Sequence, residues 1–206
     1  CWLEEFDWRK QERRLNAYEH FTVELDGVRI HFVHRRSGKP AIVLMHGWPS
    51  TFAELLPVAD RIGEDFDLII PSLPGYVFSS RPDGVGVNRK RVAQLMHRLM
   101  QGLGYERYGA AGGDFGAGVA TYMALTEPSR MSGIHVSTPE LAPYTGPGAR
   151  PLTAAEKAYL AQIDEWAETE RGYSAIQSTR PQTLGYALAD SPVGLAAWPV
   201  AKWRPW

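Results

Sequence analysis

The sequence predicts an α/β fold: a doubly wound, mostly parallel sheet, followed by an all-helical region. Three observations predict it. Short apolar runs alternate with amphipathic helical stripes in the order β-α-β-α-β-α-β, which argues a parallel sheet with crossover helices. One of these runs, Ala41-Ile42-Val43-Leu44-Met45, is continuously apolar, as expected of a strand buried on both faces. After Thr138 strand patterning stops and helical patterning takes over.

Taken in order, residues 2–18 read as an amphipathic helix or helical turn carrying Trp2, Leu3, Phe6, Trp8 and Leu15. Residues 21–25 and 28–32 alternate with period two around Asp26-Gly27, a hairpin signal because Asp-Gly suits the type I′ turn. His31 and His34 lie on the second strand. Their odd separation points them to opposite faces, so they make a poor metal pair. The strand over 41–45 runs into His46-Gly47-Trp48-Pro49. A helix follows with Phe52, Leu55, Leu56, Ala59 and Ile62 in register, then a strand over 67–71 ending near Pro74-Gly75-Tyr76. Val92, Leu95, Met96, Leu99, Met100 and Leu103 form the clearest helical stripe, stopped by Gly104 at the C′ position. A strand over 108–111, a glycine-rich turn over 112–116, a helix over 117–125 and a strand over 132–136 complete the pattern. Residues 139–151, rich in Pro and Gly, read as a linker. Thr153 and Glu156 form a capping box that opens a helix to about Arg171, ended by Gly172. Ser191-Pro192 starts another helix with Pro at its first position, and Pro199 is expected to kink it.

Composition narrows the function. The 206 residues are 44% apolar and 22% charged, with a formal charge of −1. No basic field is present to hold nucleic acid or an anionic membrane. No apolar run approaches the roughly 20 residues of a membrane span, so no membrane anchor is read in this chain. One cysteine, Cys1, gives neither an intrachain disulfide nor a cysteine metal site. A soluble, cytoplasmic protein without metal or cofactor is expected. The chain begins at Cys1 in mid-pattern and ends in Trp203-Arg204-Pro205-Trp206, so both ends read as cut, with Trp203 and Trp206 needing cover.

Two motifs carry chemistry. Gly112-Gly113-Asp114-Phe115-Gly116 joins a strand to a helix in a small-x-nucleophile-x-small pattern, the nucleophile-elbow arrangement with Asp at its centre. A helix N-terminus there favours an anion. Taken alone, an Asp N-cap in a glycine-rich loop explains the same residues. The glycine order fits no dinucleotide fingerprint, and no Lys-Ser/Thr follows to make a phosphate loop. His46-Gly47-Trp48-Pro49 ends a buried strand. In this architecture the backbone N–H groups of Trp48 and Phe115 are the candidate oxyanion-hole donors. His46 itself reads as structural rather than as a base.

Carrying these motifs, the sequence is similar to the epoxide hydrolases of the α/β-hydrolase superfamily, above all the microsomal and juvenile-hormone type and its soluble bacterial relatives. The resemblance runs over nearly the whole chain. It includes residues 2–8 and 21–34, His46-Gly47-Trp48-Pro49, Pro74-Gly75-Tyr76, the elbow, and the blocks over 172–184 and 188–198. It implies an α/β-hydrolase fold, with residues 1–140 as the N-terminal region and first part of the core and residues 141–206 as a helical cap. It implies that Asp114 is the alkylated nucleophile and that Tyr173 is one of two cap tyrosines that hydrogen-bond the epoxide oxygen. Substrate-side residues are then His46, Gly47, Trp48, Pro49 and Phe115, and the partners are a small-molecule epoxide and water. The sequence departs from the family pattern at Thr51 and at Val77, where glycine is common.

The superfamily's triad runs nucleophile, acid, His. His135, in the very next strand, is the one histidine after Asp114. The second tyrosine, the acid and the base are therefore expected beyond Trp206, with the C-terminal part of the core missing from this chain. An open sheet edge would then favour aggregation or a homodimer. Two other readings use the same residues. A haloalkane-type dehalogenase shares the Asp elbow, although Tyr173 argues against it. A non-catalytic α/β-hydrolase relative would bind a small apolar ligand.

Overall fold

The computed structural model describes residues 2–138 and 141–203, with side chains from residue 4 onward. The sequence readings of Cys1, Trp206, the Trp2 and Leu3 side chains and the first two residues of the 139–151 segment fall outside that description. The chain divides into two compact units, Cys1–Glu140 and Leu141–Trp206.

The first unit holds a six-stranded sheet of β1 (His20–Leu25), β2 (Val28–Arg35), β3 (Ala41–Met45), β4 (Asp67–Pro71), β5 (Tyr108–Gly113) and β6 (Met131–Ser137), in the order β1-β2-β4-β3-β5-β6. The pairs β3–β4, β3–β5 and β5–β6 are parallel, and β1–β2 and β2–β4 are antiparallel. Asp26 (φ 52°) and Gly27 (φ 76°) both take the left-handed region, as a type I′ turn requires. Leu25 consequently pairs directly with Val28.

The continuous apolarity of β3 has the expected cause. Val43 and Met45 pack into the core on one face of the sheet, with Leu95, Met96, Leu99 and Met100. Leu44 packs into the core on the other face, with Phe52, Leu56 and Ala59. The stripe residues belong to α4 (Arg89–Gly102), and Gly104 follows it at φ 89°. The helix after β3 opens with a 3-10 turn over Phe52–Leu55, capped by the Thr51 hydroxyl, and continues as α3 (Leu56–Ile62). The departure at Thr51 thus supplies an N-cap. Val77 lies at φ 43°, a region that strains a β-branched residue.

The N-terminal segment is helical in two pieces. It forms α1 (Trp2–Glu5) and α2 (Trp8–Leu15), interrupted because Asp7 turns back to cap α2 by accepting from Lys10 N–H at 3.0 Å. Trp8 remains 55% exposed.

The elbow is built by close backbone approach. From β5 the chain enters α5 (Phe115–Thr126). A Cβ at Gly116 would lie 2.2 Å from the Met45 carbonyl oxygen, and one at Gly112 would lie 2.5 Å from the Gly116 carbonyl carbon. Only hydrogen fits at either crossing.

The second unit is helical: α6 (Ala154–Thr169), α7 (Gly172–Thr179), α8 (Pro181–Asp190) and α9 (Pro192–Trp203). The Thr153–Glu156 capping box forms in full. Gly172 does not end the first of these helices. α6 stops at Thr169, and Gly172 opens α7 after a two-residue turn. Pro181 starts α8 by the same first-turn preference that Pro192 uses for α9. α9 continues through Pro199, and Trp203 is 60% exposed.

Two outcomes follow. Gly116→Ala will lower stability by about 3 kcal/mol, the upper end for overpacking. Gly102→Ala, where a Cβ meets nothing within 4 Å, will not. Equal urea midpoints for both variants would contradict the crossing. Burial also lowers the pKa of His31, to about 4, and of His34, His46 and His97. The unfolded chain then binds more protons below its ordinary histidine pKa of about 6.5. Stability, complete above that pH, falls progressively as pH drops toward 4. Urea unfolding at pH 7.5 and pH 5 checks this, and an unchanged midpoint contradicts it.

Candidate active site

The site sits where β3 and β5 end side by side, with Met45 paired to Gly112. Asp114 occupies the elbow at φ 50° and ψ −119°, a strained conformation for a non-glycine residue. Such strain persists only when surrounding contacts over-determine it. Here they do. Asp114 Oδ1 accepts from the Phe115 N–H at 2.6 Å and from the Trp48 N–H at 2.9 Å. Gly47 makes room for the carboxylate, since a Cβ there would lie 2.5 Å from Asp114 Cβ and 2.7 Å from Oδ1. Among the described residues, no hydrogen bond is made to Asp114 Oδ2.

His46 is fully buried. Its Nε2 accepts from the Leu73 N–H at 3.1 Å, so the ring proton is on Nδ1, which donates to the Gly47 carbonyl at 3.1 Å. That carbonyl also accepts from the Ser50 N–H at 3.0 Å. The Gly47 carbonyl and the Trp48 N–H belong to one trans peptide and point in opposite directions. His46 therefore fixes, from behind, the peptide whose N–H reaches Asp114. Burial lowers the His46 pKa against the opposing pull of the Gly47 carbonyl and the Asp114 charge. The neutral ring is the one that serves this geometry. Pro49 follows Trp48 through a cis peptide bond.

Of the sequence-predicted residues, His46, Gly47, Trp48, Pro49, Asp114 and Phe115 thus lie together at the ends of β3 and β5. His135 lies on β6, paired with Ala111, with its residue surface exposed. Tyr173 belongs to the second unit, in the first turn of α7. There it is half-buried, edge-on to Trp166 at 6.4 Å and 5.6 Å from Lys202 Nζ over its ring.

Tyr76 was not singled out as a site residue by its own chemistry. Its ring meets His46 edge-on at 4.9 Å. Its phenol is pushed up to about 12 by burial and then by the charge of Asp114. The available signal was its place just after β4, next to β3, behind the turn-forming Pro74-Gly75. Among the described residues, no three His, Cys, Asp or Glu side chains group as a metal site, and no helix is long and apolar enough to cross a membrane.

A half-buried carboxylate on a strained turn, with one oxygen held by two backbone N–H groups, can attack an electrophilic carbon. It can also keep the carbonyl oxygen of the resulting ester in the donor pair. Comparison with known proteins agrees with this architecture. A model of the epoxide hydrolase N terminus matches residues 1–55, and a model of the alpha/beta hydrolase fold matches residues 40–182. Epoxide hydrolase 1 of Sus scrofa is 34% identical over the whole chain, which covers 52% of that protein. The structure of Aspergillus niger epoxide hydrolase superposes with a TM-score of 0.83 at 36% identity, over 96% of this chain and 55% of that one. Juvenile hormone epoxide hydrolase from the silkworm Bombyx mori gives 0.77 at 32% identity, over 100% and 50%. The chain spans about half the length of these relatives. With one model spanning most of its residues, it belongs to the alpha/beta hydrolase fold family, its first 55 residues matching the epoxide hydrolase N terminus.

Proposed function

We propose that this chain carries the nucleophile of an epoxide hydrolase, converting an epoxide to a vicinal diol through an ester on Asp114. The observation that carries the reading is the asymmetry of the Asp114 carboxylate. Oδ1 is held by the N–H groups of Trp48 and Phe115, and Oδ2 is the oxygen left to attack.

In the first step Oδ2 forms a bond to a ring carbon while that carbon's bond to the epoxide oxygen breaks. The electron pair goes to the oxygen as an alkoxide, which takes a proton. Tyr173 is assigned as that proton donor, and the assignment rests on the match of residues 172–184 to the family. In the second step water adds to the Asp114 carbonyl carbon. Negative charge then develops on Oδ1, which is already seated between two donors. Loss of one such donor typically costs about 10²–10³ in rate. Collapse expels the diol oxygen from the ester, and the carboxylate is regenerated with one oxygen from water.

The second step needs a base to activate that water. His135 is the one histidine after Asp114 in these 206 residues, and it sits on the strand next to β5 rather than after a further acid-bearing strand. In this reading the acid and the base belong to the part of the relatives' length that the chain does not span. The ester formed on this chain alone is then long-lived, and turnover is absent.

Intact-protein mass after exposure to styrene oxide, with peptide mapping, tests the reading. The expected result is one adduct on Asp114. Asp114→Asn abolishes it, because a neutral amide is a far weaker nucleophile. Tyr173→Phe slows it by up to the roughly 10²–10⁴-fold typical of a lost general acid. A folded chain with no adduct on Asp114, or with the adduct retained in Asp114→Asn, contradicts the assignment.

A further inference from the structure

Phe115 supplies a backbone N–H to Asp114, yet it lies outside both core clusters and the residue is 42% exposed. Neither core cluster holds the ring, and the side chain over it is that of Arg89. Its guanidinium carbon lies 5.0 Å from the Phe115 ring centroid, within cation–π range.

The path of the Arg89 side chain is built into α5. It crosses the first turn at Gly118, where a Cβ would lie 2.4 Å from Arg89 Cδ and 2.8 Å from Nε. The position of Arg89 in its own helix also points outward. It is the first residue of α4, followed by Lys90 and Arg91, and the first turn of α4 contains no acidic residue. Cations at a helix N-terminus oppose the macrodipole. Arg91 reaches away to Asp26, and Arg89 reaches to the elbow. A local rule broken at both residues, with a specific contact for each, marks positions set by tertiary structure.

We propose that Arg89 is a positioning residue that holds the Phe115 ring as an aromatic wall beside Asp114, selecting epoxides that bear a flat aryl substituent. One face of the ring lies under the guanidinium. The exposed remainder is available to stack an aryl group, and that stacking places the epoxide carbon over Oδ2. A small alkyl epoxide gains little from the wall. The inference deepens the epoxide-opening reading above and rests on it for its substrate class.

The test compares alkylation rates of Asp114 by styrene oxide and by 1,2-epoxybutane, read by intact mass, in the native chain and three variants. Arg89→Met keeps an unbranched apolar stem and removes the cation, Arg89→Lys returns a cation, and Gly118→Ala displaces the Arg89 stem without altering its chemistry. Circular dichroism confirms that each folds. Arg89→Met and Gly118→Ala are expected to slow styrene oxide on the order of tenfold, the loss of one modest ring contact. Epoxybutane should change less than twofold, and Arg89→Lys should recover part of the loss. Equal slowing with both epoxides, or no change with either, overturns the proposal. If the native chain gives no adduct with either epoxide, the nucleophile reading fails. The aromatic NMR signals of Phe115 then still decide the positioning role: they are dispersed in the native chain and averaged in Arg89→Met if the ring is held, and unchanged if it is not.

Discussion

The carboxylate of Asp114 is held by the peptide between Gly47 and Trp48, and that peptide is fixed from its other side. The N–H faces Asp114 Oδ1 at 2.9 Å, while the carbonyl accepts from His46 Nδ1 and the Ser50 N–H. His46 is in turn oriented by the Leu73 N–H at the end of β4. Three adjacent strands, β4, β3 and β5, thereby meet in one donor–acceptor chain at their C-terminal ends. Ligands of open α/β sheets bind outside those ends. Position there costs backbone strain at Asp114, and the surrounding contacts hold it.

The same constraint explains the glycines around the elbow. Gly47 leaves room for the carboxylate, Gly116 for the β3 carbonyl and Gly112 for the turn itself. A methyl group at any of them would push apart the two segments that the hydrogen bonds join. The placement of the Asp114 carboxylate and fold stability are therefore coupled at these positions. Phe115, exposed, and Arg89, half-buried, lie in contact beside this framework.

Much of this was legible in the sequence where the pattern is local. The stripe from Val92 to Leu103 has the helical period. Asp26-Gly27 states its turn type. Small residues two positions on either side of Asp114 state the elbow, and the strand-end run over 46–49 states the partner loop. What was not legible depends on contacts between distant segments or on competing local signals. Nothing near His46 in sequence announces the Leu73 N–H 27 residues away, and nothing near Arg89 announces the Phe115 ring. Gly172 reads as a helix stop because glycine usually is one, but only Glu170 and Arg171 separate α6 from α7. Pro181, whose missing N–H suits a helix start, was the counter-signal. Asp7 split the N-terminal helix by the same preference of aspartate for the cap.

The central claim is that two backbone N–H groups grip one oxygen of Asp114. Amide proton NMR measures this directly. In the native chain the Trp48 and Phe115 amide protons should both resonate downfield, as protons donated to a carboxylate do. Replacing Asp114 by Ala should move both upfield while the Ser50 amide, held by the Gly47 carbonyl, keeps its position. Trp48 and Phe115 signals that do not respond to the loss of the carboxylate would contradict the account.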